Sequence, residues 1–109
     1  MKAGQKFSLV LVTAPNLASA RKLAGIVLRA RAAACVNLVP RLESHFWWQG
    51  KLTKSKEVLL LCKTTRARLA ELEKLVVANH PYDTPEFVAL NLAQSNARYL
   101  QWLTESVRG

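Results

Sequence analysis

The sequence predicts an α+β fold in which two helices cover one face of a four-stranded antiparallel sheet. Two observations carry this prediction. The apolar periodicity gives the order strand, helix, strand, strand, helix, strand, helix, and the first six elements form the split βαβ, or ferredoxin-like, pattern. Right-handed crossovers then place both helices on the same side of the sheet. The seventh element is an added C-terminal helix.

The first strand and helix follow from residues 7–31. Phe7 to Thr13 is a β-branched and apolar run, dense enough for a central strand buried on both faces. Asn16 is a suitable N-cap for a helix that runs to about Arg31. Gly25 lies inside that helix at a cost of about 1 kcal/mol relative to Ala and is a candidate point of close packing. The expected apolar stripe consists of Leu17, Ala20, Ala24, Val27 and Leu28.

The stretch from Ala32 to Thr65 predicts an extended central hairpin. Its two β-rich arms flank Gln49-Gly50, a pair suited to a tight turn because glycine adopts a positive φ at little cost. Each arm is about 15 residues long, where about 5–6 is usual for a strand. We expect the excess to bend at Pro40, which lacks a ladder donor, or to be covered by a partner subunit.

The remaining elements follow the hairpin. Thr65 is the expected cap of a second helix, about residues 66–79, which Pro81 must end. Residues 86–92 alternate in part and predict the last strand. Asn96 is the expected cap of a final helix with a wide apolar surface, made by Tyr99, Leu100, Trp102, Leu103 and Val107.

This topology leaves one sheet face without helices. Strands as apolar as Val58 to Cys62 would make such a monomer poorly soluble. We therefore expect self-association to cover the face.

Length and composition limit the class of protein. The 109 residues predict one domain spanning 1–109, with no apolar run long enough for a membrane span. The first residues lack the apolar core of a signal peptide, so we expect a cytoplasmic protein. Cys35 and Cys62 are expected to be buried free thiols in a reducing compartment. A cross-strand bridge between them is the alternative, because a turn near Gly50 places them almost opposite each other.

The net charge of +9 attracts anions, but a solvated basic surface is the simpler interpretation. The rival hypothesis is RNA binding, since the predicted strand order is also that of an RNA-recognition domain. Such domains stack bases on aromatic residues of their central strands. The run Val58 to Cys62 has none, so we do not expect nucleic acid as a partner.

Several blocks of the chain together resemble the CutA family of divalent-cation tolerance proteins. They keep the family's order and spacing from about Val10 to Val107: Thr13-Ala-Pro15, Ala33-Ala-Cys-Val-Asn-Leu-Val-Pro40, Trp48-x-Gly50-Lys51, Glu57-Val58, Lys63-Thr64, His80-Pro-Tyr82, Pro85-Glu86 and Tyr99-Leu-x-Trp102. The resemblance implies a homotrimer related in architecture to the PII signalling proteins, in which the hairpin and last helix meet neighbouring subunits. It also implies a role in the response to divalent metals and no settled reaction.

Metal binding is expected through His80. The family's proposed copper site uses a Cys before Thr-Ala-Pro and two His before Pro-Tyr, and here Val12 and Asn79 occupy two of those three positions. Glu86 and, less directly, Cys35 are the further candidate ligands for copper or another divalent metal. The alternative for His80 is a local hydrogen bond at a helix end. His45 lies mid-arm, where a cross-strand neighbour is the simpler interpretation.

The resemblance also implies a cleft between subunits. Its matching positions are Trp48, Glu57, Lys63, Tyr82 and Trp102, with Glu86. This mixture suits small polar or anionic ligands, so a PII-like module that binds an anionic effector stays open as an alternative function. Interface anchoring is the simpler interpretation for the tryptophans. For Lys63 and Glu57, an interfacial ion pair and a ligand contact stay open as equal alternatives. No nucleophile–base arrangement or phosphate loop is present in the sequence, and no enzyme is predicted.

Overall fold

The computed structural model describes residues 2–3 and 6–107. Four antiparallel strands form the main sheet in the order β3-β4-β2-β5, which confirms the ferredoxin-like topology with its extended hairpin and added helix. The elements are β1 (Lys2–Ala3), β2 (Phe7–Ala14), α1 (Leu17–Arg29), β3 (Cys35–Trp48), β4 (Lys51–Thr65), a 3-10 turn (Arg66–Arg68), α2 (Leu69–Asn79), β5 (Val88–Asn91), β6 (Gln94–Ser95) and α3 (Ala97–Ser106). The two short strands β1 and β6, which were not predicted, pair separately.

The main sheet has one covered face and one largely uncovered face. Residues paired across antiparallel strands share a face, and successive residues alternate between faces. The helix face carries the core, including the fully buried Val10 and Val12 and their neighbours Leu60 and Cys62. The opposite face, called the open face below, carries Leu9, Leu11, Leu59, Leu61 and Lys63. The expectation that β2 is buried on both faces is therefore wrong for a single chain, because Leu9 and Leu11 are only half-buried.

Helix α1 begins as predicted and ends slightly early. The Asn16 side chain accepts a hydrogen bond from the backbone N–H of Ser19 at 2.8 Å. Arg31 adopts a left-handed φ of 59° and ends the helical path two residues after Arg29. Leu23 is buried in the core, whereas Leu28 is exposed, so the apolar stripe is rotated relative to the prediction.

The hairpin has arms of 14 and 15 residues, close to the predicted length. Its turn places both Gln49 and Gly50 at positive φ, 48° and 77°, which is the type I′ geometry that matches strand twist. The ladder is irregular between Val39 and Leu42, where Pro40 and Arg41 together face one residue of β4. The expected bend at Pro40 is therefore present as a β-bulge.

Two predicted caps, Thr65 and Asn96, occupy N-cap positions as expected, but neither side chain makes a cap hydrogen bond. The Thr65 side chain makes no cap hydrogen bond, and the adjacent N–H of Arg66 instead donates to the Lys6 carbonyl at 2.8 Å. Asn96 occupies the N-cap position of α3, but its side chain accepts from the Ser95 hydroxyl rather than from the helix.

Helix α3 covers one end of the open face. The Lys63 ammonium lies 5.6 Å from the centre of the Tyr99 ring, which places α3 against that end of β4. The rest of the open face stays accessible: Val39, Val88 and Leu90 are 40%, 45% and 47% exposed. The predicted bare face is thus present in a single chain.

Candidate functional site

A cleft of about 870 Å³ opens where the hairpin extends beyond the sheet. One wall is the hairpin and the other is the segment from Pro81 to Glu86, and this space is called the hairpin cleft below. Its lining consists of Thr13, Ser44, His45, Phe46, Trp48, Thr53, Lys54, Ser55, Glu57, Pro81, Tyr82, Asp83, Thr84 and Glu86.

The pairing of β3 with β4 beyond the β-bulge decides which hairpin side chains face the cleft. Before it, the open face takes odd-numbered residues of β3, such as Val39, which pairs with Leu59. After it, Leu42 pairs with Glu57, so the even-numbered residues share the face of Glu57. Phe46 and Trp48 therefore line the cleft. The sequence-based prediction missed Phe46. It lies two positions before Trp48, so strand alternation counted back from Trp48 would have identified it.

Glu57 and Tyr82 form the polar centre of the cleft. Glu57 is only 8% exposed, and one of its carboxylate oxygens accepts a hydrogen bond from the Tyr82 hydroxyl at 2.7 Å. Burial, followed by this hydrogen bond and the nearby charge of Glu57, raises the pKa of Tyr82 to about 12. Burial and then the charge of Glu57 also raise the pKa of Glu86. The two carboxyl groups therefore interact unfavourably when both are ionised.

Two hydrogen bonds of the His80 ring connect the segment that carries Tyr82 to β2, and this pair of bonds is called the His80 brace below. Its Nδ1 accepts the backbone N–H of Tyr82 at 3.0 Å, so the other ring nitrogen, Nε2, carries the proton and donates to the Thr13 carbonyl at 2.7 Å. The rings of His80 and Tyr82 are 4.8 Å apart. Both ring nitrogens are thus occupied, and a metal would have to displace one of these hydrogen bonds. His80 as a metal ligand stays a prediction.

The structure gathers four of the predicted site residues: Trp48, Glu57, Tyr82 and Glu86 line the hairpin cleft. Lys63 and Trp102 lie elsewhere in the chain. Lys63 is six positions along β4 from Glu57, about 20 Å at the strand rise, so the two cannot pair within one subunit. Trp102 is 44% exposed on α3, with its ring centre 5.4 Å from that of Tyr99.

Cys35 differs from both of its expected roles. It is half-buried rather than a core residue, and its thiol contacts the side-chain oxygen of Asn37 at 3.6 Å. It pairs with Lys63, four positions from the partner of Thr13, so about 13 Å of strand separates it from the His80 brace. Within one chain it cannot join His80 and Glu86 as a ligand.

The two cysteines are free thiols on opposite faces of the sheet. Cys62 pairs with Val36 rather than with Cys35, so the alternative of a cross-strand bridge is wrong. Cys62 is buried as predicted.

His45 is a cross-strand neighbour of Lys54, as the sequence indicated, and its Nε2 lies 2.8 Å from a carboxylate oxygen of Glu43.

Across residues 6–107, no group of three His, Cys, Asp or Glu side chains is arranged to hold a metal ion. Nor is any helix of the described chain long and apolar enough to cross a membrane.

Comparison with known proteins identifies the family. A family model described as CutA1 divalent ion tolerance protein matches residues 8–106. The chain belongs to the CutA family. The divalent-cation tolerance protein CutA of Thermus thermophilus is 46% identical over 98 residues, which cover 90% of this chain and 95% of that protein. The chloroplastic CutA 1 of rice is 45% identical over 100 residues, 92% of this chain.

The relatives differ in length. The chain spans 56% of the rice protein and 58% of human CutA, to which it is 42% identical over 103 residues. Solved CutA structures share the fold closely. The crystal structure of rice CutA1 has a TM-score of 0.91 at 44% identity and covers 94% of each chain. The Thermus thermophilus CutA1 structure also has a TM-score of 0.91, over 94% of this chain and 99% of that one.

Proposed function

We propose that this CutA protein acts in divalent-cation tolerance as a cytoplasmic homotrimer without a catalytic reaction of its own. Its relatives in Thermus thermophilus and Escherichia coli carry the name divalent-cation tolerance protein, which describes a cellular role and no reaction. The observation that supports assembly is the open face of the sheet.

The open face is apolar and solvent-facing in a single chain. Leucine and valine side chains that are 40–47% exposed flank the half-buried Leu9, Leu11, Leu59 and Leu61. Burying apolar surface yields roughly 25 cal/mol per Å², so covering a continuous face of this kind favours association. The resemblance to CutA and PII proteins supports three copies in a closed ring.

Light scattering on a size-exclusion column tests the proposal. The wild type should elute with three times the chain mass of 12.2 kDa. Leu90→Lys should elute at a lower mass, because the lysine would be buried in the assembly although it is tolerated in a single chain. The matched control is Val77→Lys on α2, since Val77 is 53% exposed and lies away from the open face. A wild-type mass of one chain at micromolar concentration would refute the homotrimer.

The metal contact is proposed for the assembly rather than for a single chain. His80 has both ring nitrogens hydrogen-bonded, and Cys35 lies too far along β3 to join it. A second subunit would therefore have to supply further ligands, and His80 would exchange one hydrogen bond for the metal.

Calorimetric titration with copper(II) tests this contact. His80→Ala should bind copper more weakly than the wild type, while His45→Ala, which alters the other histidine, should match the wild type. Equal affinity in His80→Ala and wild type would remove His80 from the site.

A further inference from the structure

The hairpin cleft holds a buried carboxylate without a cationic partner. Among residues 6–107 an ion pair joins His45 to Glu43, and no lysine, arginine or histidine forms an ion pair with Glu57 or Glu86. Burying an ionised carboxylate is costly unless a cation or several hydrogen bonds compensate it. The Tyr82 hydroxyl supplies one neutral hydrogen bond to a single oxygen of Glu57. The chain as a whole has a net charge of +9, so this lack of a cation is local. Lys54 and His45, which also border the cleft, pair with each other on the hairpin face opposite to that of Glu57.

Aromatic surfaces stand beside these carboxylates. Phe46 and Trp48 are 36% and 47% exposed, and both line the cleft together with Tyr82. An aromatic ring attracts a cation to its face and also packs against an apolar body. Each wall carries both kinds of group, since Glu57 lies on the hairpin with Phe46 and Trp48, and Glu86 lies on the facing segment with Tyr82. This combination favours a ligand that is both cationic and apolar.

The choice between a metal ion and an organic cation follows from the number of ligands. A divalent metal needs several convergent donors, and no group of three suitable side chains exists in the described part of the chain. An ammonium or guanidinium group brings its own N–H donors and needs only two or three acceptors. Glu57 and Glu86 supply carboxylate acceptors in the same cleft.

We propose that the hairpin cleft binds an organic cation, an amine or guanidinium attached to an apolar body. The cationic group donates hydrogen bonds to Glu57 and Glu86, and the apolar body packs on Phe46 and Trp48. Tyr82, held by the His80 brace, orients the Glu57 carboxylate. This reverses the sign of charge that the sequence suggested for a ligand of this cleft.

Calorimetric titration with benzylamine, benzyl alcohol and benzoate at neutral pH tests the proposal. The three probes share an aromatic ring and differ in charge. Benzylamine should bind saturably with a dissociation constant below about 10 mM, while the neutral and anionic probes should bind at least about tenfold more weakly. No saturable heat with benzylamine, as when a neighbouring subunit's side chain fills the cleft, would overturn the proposal. So would equal binding of benzyl alcohol.

Variants assign the binding to the cleft. Glu57→Gln keeps an acceptor for the Tyr82 hydroxyl and should weaken benzylamine binding about tenfold or more. Glu86→Gln changes an exposed side chain, should fold normally, and should weaken binding in the same direction. The control is Glu73→Gln on the exposed side of α2, which should bind as the wild type does. Unchanged affinity in Glu86→Gln, with Glu57→Gln either unchanged or unfolded, would refute the assignment. The mass of the assembled particle in each sample, measured separately by light scattering, distinguishes this failure from failure of the homotrimer.

Discussion

The buried thiol of Cys62 makes the free energy of unfolding decrease as the pH rises through the alkaline range. Burial, and then the nearby Cys35, raises the pKa of Cys62 from its ordinary 9.0 to about 12. Between these values the folded chain keeps a proton that the unfolded chain has lost, so stability falls as the pH rises. The Cys62 contribution is fully present below about pH 9 and is lost towards pH 12.

We therefore expect Cys62→Ala to lose less stability than the wild type when urea unfolding is compared at pH 9 and at higher pH. Val10→Ala is the control, because Val10 is the cross-strand partner of Cys62 and is also fully buried. That variant creates a cavity without removing a titrating group, so it should be destabilised by a similar amount at every pH. A wild-type pH slope in Cys62→Ala would contradict the prediction.

His80 shows what a local sequence pattern cannot reveal about a site. The order His-Pro-Tyr indicated a helix end and a candidate ligand. The hydrogen bond from His80 to the Thr13 carbonyl joins residues 67 positions apart, and only the folded sheet brings them together. The alternative of hydrogen bonding at a helix end was correct in kind, although one of its partners is distant.

Gly25 in α1 is a position where a substitution should increase the stability of a helix. A Cβ at this position would meet the guanidinium of Arg29 at 2.9 Å, the far end of a flexible side chain in the same helix. Gly25 therefore does not mark close packing against another element. Because alanine favours the helix, Gly25→Ala should raise the free energy of unfolding by about 0.5–1 kcal/mol.

Urea unfolding at one fixed chain concentration measures this gain. Gly50→Ala is the opposite case: it has open space around it but a φ of 77°, so alanine there is strained. That variant should lose about 1 kcal/mol or more. Equal changes in both variants would show that helix propensity and turn geometry do not control these positions.

At the scale of the whole molecule, assembly should make heat stability depend on concentration. If three folded chains associate and the unfolded chain does not, mass action raises the midpoint of thermal unfolding as the protein is concentrated. We expect the wild-type Tm to fall on dilution and the Tm of Leu90→Lys to be nearly independent of dilution. Differential scanning fluorimetry over a range of concentrations measures both, and a constant wild-type Tm would contradict assembly.

The sequence predicted the sheet order, the hairpin turn and the bare face, because apolar periodicity and glycine at a turn are local signals. The resemblance to CutA proteins implied that Trp48, Glu57, Tyr82 and Glu86 line a cleft between subunits. Within one chain they line the hairpin cleft, and the cleft between subunits stays a prediction. The failures have a common cause. The Arg66 N–H donates to the distant Lys6 carbonyl, and the face on which Cys35 lies depends on strand register, neither of which local spacing determines.

The β-bulge at Pro40 and Arg41 joins two halves of β3 that are held in register by different parts of the chain. Arg41 holds a φ of 63°, and the extra residue changes the open face from the odd-numbered residues of β3 before the bulge to the even-numbered residues after it. Removal of one residue here, with the turn unchanged, would leave Leu42 opposite Glu57, so Ser44, Phe46 and Trp48 would stay on the face of the cleft. The bulge thus absorbs one extra residue, so that the near half of β3 keeps its core pairing while the turn determines which side chains form the wall of the cleft.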